Sequence, residues 1–475
     1  MIAGVFLFIL VPLVVAVLLS VFQRLHTIAM FIATGVAGAL GVAALLLPLD
    51  RAVQLGGRQI ALGEPVTLLG RQLAMTSANS VLLGFMFLAA AGSFLVGWRS
   101  GAGSLLFPVG MATLGFLSAT LVVRPFLYAA LSLTIGSVLA TLLFAGHGQT
   151  RGASRYLALT TLALPAFMIA SWLVDLYAPN PIDTALPRNI MLTLAGGFAL
   201  LLGVVPFHIW IRPAVEESPP VAVIFVLTVC NSANWFLLLD VLQEFPWLVT
   251  QQDIFRSLQL LGLLTTLAGG VLAYSSHDFA HVLAYGVMAD YGSALLALGT
   301  RTPTGLSAVM FATLARPASL ALLALGLTLA RDRFQSSRFD KLTGLGWSNP
   351  WMAAALTVGG FSLAGIPPLA GFLGRWSEVR LLATAQPLYV AAVLGATLGV
   401  AAGALRGMDF LLQPPLVSAA NPAPAAGSRS TREPRLMIVL VVFSVLVGLA
   451  LALFPGVIEP YVRTVVSSYT FFSTP

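Results

Sequence analysis

The chain has 475 residues, of which 58% are hydrophobic and only 9% charged, and its mean hydropathy is +0.95. Those values exclude a soluble globular protein and identify an integral, multi-pass membrane protein. The net charge of +7 comes almost wholly from arginine, spread over loops at Arg24, Arg99, Arg151, Arg155, Arg331, Arg333, Arg338, Arg429, Arg432 and Arg435. A nucleic-acid partner would need those charges clustered on a soluble face; dispersed loop charges instead set topology and touch lipid headgroups.

Runs of roughly 20 apolar residues, long enough to span a bilayer, fall at 2–22, 27–48, 80–98, 103–123, 126–146, 155–178, 190–240 (one long broken element), 255–275, 279–299, 305–330, 350–373, 383–405 and 436–458. The predicted fold is an all-α polytopic membrane protein with about 13–14 transmembrane helices. The first run opens at Met1-Ile2 without a basic leader, so it is expected to be a retained helix. Between the second and third runs, residues 49–78 alternate in short pieces around Gly56-Gly57 and Glu64-Pro65, which predicts a small extramembrane hairpin. No polar stretch is long enough to house a nucleotide, flavin or iron–sulfur cluster, so no cofactor is expected. Cys230, the single cysteine, excludes an internal disulfide or a CxxC metal site and reads as a small packing residue.

The most informative stretch runs from Gly197-Phe198 through Pro206-Phe207-His208-Ile209-Trp210 to Glu216-Glu217 and Pro219-Pro220. It opens an apolar run with prolines, a histidine and two carboxylates. Backbone opened inside hydrocarbon leaves amides without partners, which is tolerable only where protein or a water-filled cavity surrounds them. The break therefore marks an ion path or the remnant of one. Glu216-Glu217 either bind a cation there or cap the half-helix that begins near Pro219, and capping is the expectation. Further on, His277, Asp278 and His281 open a span, where an N-cap and an interfacial pair account for them. Asp290 lies deep in that span, and an ionisable group at that depth needs a partner, for which Arg316 in the next span is suited.

A second interruption, Leu363-Ala364-Gly365-Ile366-Pro367-Pro368, precedes Arg375, Glu378 and Arg380 about 160 residues after the first, and paired broken helices are the mark of an inverted-repeat transporter. Residues 412–435 are rich in proline, alanine and serine and end in arginines, as a flexible linker to the last span would be. The expected organisation is 1–79, N-terminal helices plus hairpin; 80–250, a first bundle; 251–410, a second bundle; 411–435, linker; and 436–475, C-terminal helix and tail.

Three blocks in this order resemble the antiporter-like membrane subunits shared by respiratory NADH:quinone oxidoreductase (complex I), membrane-bound hydrogenases and multisubunit cation/proton antiporters. They are Gly197-Phe198-Ala199 with Pro206-Phe207-His208-Ile209-Trp210; Asp278 with Val282-Leu283-Ala284-Tyr285; and Leu363-Ala364-Gly365-Ile366-Pro367-Pro368-Leu369 with Gly371-Phe372. The resemblance spans roughly residues 80–380. It implies two inverted five-helix repeats, each with a broken helix, and a mid-membrane chain of lysines, a glutamate and histidines that passes protons.

The sequence departs from that pattern at its charged positions. Its only lysine, Lys341, sits in a polar loop, and the resemblance implies lysine where Leu201, Ala280 and Ala318 stand. A Trp-Glu pair implied near 126–146 is missing, and only Arg375 keeps a cation. Arginine stays protonated in essentially any protein site, so it can attract or block ions without releasing a proton. The candidates for a proton path are therefore His208, Asp290, His281, Asp278, Arg316, Arg375, Glu216 and Glu217, with His208 the best relay residue because histidine titrates near neutral pH.

These residues carry three readings: a proton-translocating subunit of a complex-I-like redox assembly, a non-conducting scaffold in such an assembly, or the membrane half of an inorganic-carbon uptake or cation/proton antiporter system. The scarcity of lysine favours a scaffold or a rewired path. The expected partners are other membrane subunits, the lipid bilayer, and a soluble redox or zinc-containing protein, since this chain has no metal-ligand cluster of its own. The expected location is a bacterial inner (cytoplasmic) membrane.

Overall fold

The computed structural model describes residues 2–22, 25–49, 53–55, 58–61, 63–68, 70–98, 103, 105–144, 151–177, 185–250, 252–414 and 433–472. In chain order the helices are α1 Val5–Val21, α2 His26–Leu46, α3 Ser77–Gly97, α4 Leu106–Val122, α5 Phe126–Thr141, α6 Arg151–Tyr177, α7 Ala185–Leu202, α8 Ile211–Glu217, α9 Pro220–Phe225, α10 Asn231–Glu244, α11 Pro246–Thr250, α12 Gln252–Tyr274, α13 Phe279–Leu298, α14 Pro303–Phe334, α15 Pro350–Ala364, α16 Ala370–Ala385, α17 Pro387–Leu412, α18 Arg435–Leu453 and α19 Glu459–Ser468. Among the described residues ten helical stretches are long and apolar enough to cross a membrane, and four shorter apolar helices (α1, α4, α5 and α15) accompany them. This agrees with the expected all-α polytopic fold. Apolar side chains on outer faces, such as Leu10, Val14 and Val17 of α1 or Leu398 of α17, remain exposed, as suits helices solvated by lipid.

Two spans are divided more sharply than the apolar runs suggested. The expected element 190–240 is two spanning stretches, Ala185–Glu217 and Pro220–Glu244. The first of them is opened at Gly203 (φ 63°), and a one-turn 3-10 segment, Phe207–Trp210, leads into α8. The second contains a π-helical turn at Val226–Cys230 between α9 and α10. Likewise the expected span 350–373 ends at Ala364, because Gly365 (φ 84°) takes the left-handed conformation that closes α15 and α16 starts afresh at Ala370. Both glycines also sit at close approaches: a Cβ at Gly203 would lie 2.9 Å from Trp210 Nε1, and one at Gly365 would lie 2.7 Å from Arg375 Cβ.

The expected hairpin is two hairpins. Strands β2 Val53–Leu55 and β3 Arg58–Ala61 pair antiparallel, with β1 Ile2–Ala3 parallel to β3. Strands β4 Val66–Leu68 and β5 Arg71–Leu73 form the second hairpin, extended by β6 Val123–Arg124. Most of the expected linker, residues 415–432, lies outside the described residues. Just after it, the Glu433 carboxylate accepts hydrogen bonds from Trp351 N (3.2 Å) and Met352 N (2.8 Å), capping α15 from far along the chain.

Close packing in the second half depends on missing side chains. A Cβ on Gly292 of α13 would lie 2.4 Å from Thr266 N of α12, and one on Gly269 of α12 would lie 2.5 Å from Ala289 N of α13. Small residues at such crossings let backbones approach inside a membrane, where no hydrophobic gain drives helices together.

The tail folds back onto the first half. The Tyr469 hydroxyl donates to Asp240 Oδ1 at 2.9 Å, while Arg124 Nη2 lies 3.2 Å from Asp240 Oδ2. Tyr469→Phe is expected to lower stability in detergent by about 1.5–3 kcal/mol, the range for a hydrogen bond to a charged group. A thermal-unfolding comparison with the parent chain checks this, and an unchanged midpoint would show that the contact contributes nothing.

Candidate functional site

The polar residues that the sequence singles out fall into two groups at different depths. At one end of the bundle, the C-terminal ends of α8, α12 and α14 and the N-terminal end of α13 enclose a cavity of about 1020 Å³. Its lining includes Arg212, Glu216, Glu217, His277, Asp278, His281, Tyr285, Arg331 and Arg338. Glu216 Oε1 accepts from Arg212 Nε at 2.9 Å and hydrogen-bonds to His281 Nε2, tying the broken helix to α13. The Arg331 guanidinium donates to Val215 O (2.7 Å) and Ser218 O (3.0 Å), taking up carbonyls that the end of α8 leaves without helical partners. On the rim, Arg338 Nε donates to Asp340 Oδ1 at 3.0 Å, and that hydrogen bond holds the Asp340 carboxyl below its ordinary pKa.

The capping expectation for Glu216-Glu217 is corrected by this geometry. Both carboxylates sit at the C-terminal end of α8, and Gly152 N at the start of α6 donates to Glu217 Oε2 at 2.9 Å. Glu217 thus caps α6, and the half-helix beginning at Pro220 receives no carboxylate from it. Asp278 does act as an N-cap: its Oδ1 accepts from Ala280 N at 2.7 Å at the start of α13. Asp278→Ala should therefore cost about 1 kcal/mol of stability, and Asp278→Asn, which keeps a capping oxygen, much less. Detergent melting of the two variants distinguishes this from a purely electrostatic role, for which Asn and Ala would be equally harmful.

The second group lies deeper. Asp290 is twelve residues beyond the Asp278 cap, or about 18 Å along α13 at 1.5 Å per residue. Asp290 Oδ2 accepts from Arg316 Nε of α14 at 2.6 Å, and Asp290 Oδ1 is 3.8 Å from Arg375 Nη2 of α16. Arg375 Nη1 donates to Glu378 Oε2 at 3.1 Å and to Ser293 Oγ at 2.6 Å. The Arg316 guanidinium stacks over the Tyr291 ring, 4.7 Å from its centroid. Arg316, Arg375 and Glu378 are 3%, 6% and 0% exposed. Two arginines and two carboxylates thus balance one another in a setting where an unpaired ion would be prohibitive. Arg316 Nη1 and Nη2, Arg375 Nε and Glu378 Oε1 have no partner among the described residues, so the group retains capacity for further hydrogen bonds.

The structure brings Asp290, Arg316 and Arg375 together, and places His281, Asp278, Glu216 and Glu217 around the cavity. His208 joins neither group; it stands in the Phe207–Trp210 turn with a buried, unpartnered Nδ1. Glu378 is the residue that the candidate set missed. Its signal was its position three residues after Arg375 on one helix, which puts both on one face, and a carboxylate in an apolar stretch is functional until shown otherwise. The positions where the resemblance implies lysine are buried apolar side chains: Leu201, Ala280 and Ala318 are all within the core.

Comparison with known proteins fits this architecture. Residues 176–400 match a family model described as NADH:quinone oxidoreductase/Mrp antiporter, transmembrane. Subunit N of the NADH-quinone oxidoreductase of Acidithiobacillus ferrooxidans is 27% identical over 49% of this chain and 48% of its own length. The corresponding subunit of Coxiella burnetii is 27% identical over 56% and 53%. The chain therefore spans about half the length of the curated relatives it matches. A chain of the Mrp complex from a Dietzia species superposes with a TM-score of 0.82 at 17% identity, covering 98% of this chain and 97% of that one. A chain of respiratory complex I from Thermus thermophilus gives 0.76 at 20% identity, covering 98% and 100%. The chain thus shares its fold end to end with those membrane subunits, and across both breaks it is similar to the family of antiporter-like membrane subunits.

Proposed function

We propose that this chain is a membrane subunit of a complex-I-like, proton-translocating assembly in a bacterial inner membrane, with a proton path rewired around carboxylates in place of buried lysines. The observation that carries the reading is the buried Asp290–Arg316–Arg375–Glu378 group. The arginines in it are fixed charges, so only the carboxylates exchange protons. A proton taken up by Asp290 or Glu378 leaves the group with one excess positive charge in a poorly solvated setting, which favours onward release. The cavity at His281 and Glu216 supplies the entrance, and Tyr285, five residues or about 7 Å before Asp290 on α13, lines its inner end. The domains follow the resemblance: a first bundle at 80–250 and a second at 251–410, forming an inverted pair with a broken helix in each.

The scaffold reading rests on a different observation, the apolar residues at Leu201, Ala280 and Ala318, and it treats the buried charges as static ion pairs. Partners are tested first by gentle detergent purification of the tagged chain with mass spectrometry of what remains bound. Other antiporter-like membrane subunits together with redox proteins are the expected result. Recovery with a single soluble zinc protein, or alone, would remove the redox assembly.

A further inference from the structure

Helices α3, α9, α14 and α18 wall an apolar slot of about 390 Å³. Among the described residues no charged side chain lines it, and two of its three wall hydroxyls are turned into their own helices: Ser93 Oγ donates to Ala89 O at 2.9 Å and Thr228 Oγ1 to Ile224 O at 2.6 Å. On α14, Arg316 turns to Asp290, whereas the next two residues, Pro317 and Ala318, line the slot. One helix thus separates the slot from the buried charges. Ala318 is also a position where the resemblance implies lysine, and a lysine there would place an ammonium in this apolar lining.

The dimensions of the slot select its occupant. It is lined from Phe85 to Val96 on α3 and from Leu440 to Leu451 on α18, which is about 16 Å on each at 1.5 Å per residue. A volume of about 390 Å³ spread over that length leaves a mean cross-section of roughly 24 Å². An α-helix with its side chains is about 10–12 Å across and cannot enter. A single hydrocarbon chain can, and the length is that of one leaflet, half of a hydrocarbon core about 30 Å thick. Val221 lines the slot and its neighbour Pro220 lines the His281 cavity, so the slot begins at the cavity end of the bundle. It opens sideways between α3 and α18, where Leu88, Gly92 and Phe443 are exposed.

We propose that this slot binds one acyl chain of a membrane phospholipid, whose phosphate lies at Arg435. Arg435 is exposed at the start of α18, about 7.5 Å before Leu440, and a guanidinium suits a phosphate. Transfer from bulk lipid brings no hydrophobic gain, because lipid tails are as apolar as leucine. The gain is dispersion: walls that face a void lose their partner atoms, and an apolar slot does not hold water in their place. The bound chain keeps the back of α14 dry beside Arg316. This inference does not depend on proton translocation.

Reconstitution of the complex in vesicles of phosphatidylethanolamine and phosphatidylglycerol, with a photoreactive diazirine in the acyl chain, tests it by peptide mapping. The reporter is the stretch Val221–Thr228, whose residues are buried and out of reach of lipid around the bundle. In the parent complex this stretch should be labelled, as should the exposed Leu398 of α17. Gly92 lines the slot and a Cβ there meets nothing within 4 Å, so Gly92→Phe fills the slot without a clash. It should cut the label on Val221–Thr228 at least tenfold and leave that at Leu398 unchanged. Ala321→Phe fills the slot from α14 and should do the same, should Gly92→Phe fail to fold. Arg435→Gln should lower the label at least threefold, and an undiminished label there overturns the phosphate contact. A parent complex labelled at Leu398 but not at Val221–Thr228 overturns the site, as does a label that survives both filling variants. Recovery of an isoprenoid quinone cross-linked or co-purified there in place of phospholipid overturns the assignment of the ligand.

Discussion

Glu378→Gln is expected to reduce proton flux through the assembled complex by roughly 100-fold or more, the scale on which a positioned proton-transfer group contributes. Glu378 is fully buried, and its Oε2 already accepts from Arg375 Nη1. Glutamine has the same length and keeps an oxygen for that bond, but it exchanges no proton. Arg375 retains Ser293 and the nearby Asp290 as partners, so the variant should assemble, in an amount lowered by the positive charge left uncompensated. Flux measured in vesicles and subunit content measured on the same preparation separate the two effects. A scaffold would show full assembly with no change in flux.

Arg316→Met should destabilise the protein by about 3 kcal/mol, the lower end of the cost of breaking a buried ion pair. The loss arises from what is left behind: Asp290 keeps only the 3.8 Å approach of Arg375, and its charge is then poorly compensated. Adding Asp290→Asn to Arg316→Met should recover a large part of the loss, because the double variant buries no unbalanced charge. Thermal unfolding of the single and double variants provides the check, and simple additivity of the two changes would show that the pair is not coupled. Both outcomes bear on stability alone and leave the question of conduction to the glutamate.

The parts of this architecture that were legible in the sequence are those set by local chemistry. Apolar runs fix the spans because hydrocarbon admits only backbones that satisfy themselves. Pro206 and Pro367-Pro368 marked the two breaks, and the structure places the left-handed Gly203 and Gly365 beside them at the ends of α7 and α15. Asp278 was legible as a cap because its partner, Ala280 N, is two residues away. The remainder depends on contacts that spacing does not encode. Glu217 caps α6 across 65 residues, and Glu433 caps α15 from more than 80 residues downstream. The second and third strands needed edges from Ile2–Ala3, and the fourth and fifth from Val123–Arg124. Glu378 was passed over because Arg375 alone matched the family pattern, while the importance of its neighbour emerges only where α13, α14 and α16 converge.

Proton flux through the reconstituted complex carrying Asp290→Asn, compared with the parent at equal subunit content, tests the central claim most directly. Asparagine keeps the hydrogen bond to Arg316 and removes proton exchange at the centre of the charged group. The account expects flux per assembled complex to collapse, with the yield of complex lowered by the arginine charge that Asp290→Asn leaves unbalanced. Undiminished flux in an intact Asp290→Asn complex would contradict it and leave the buried charges as a structural clamp.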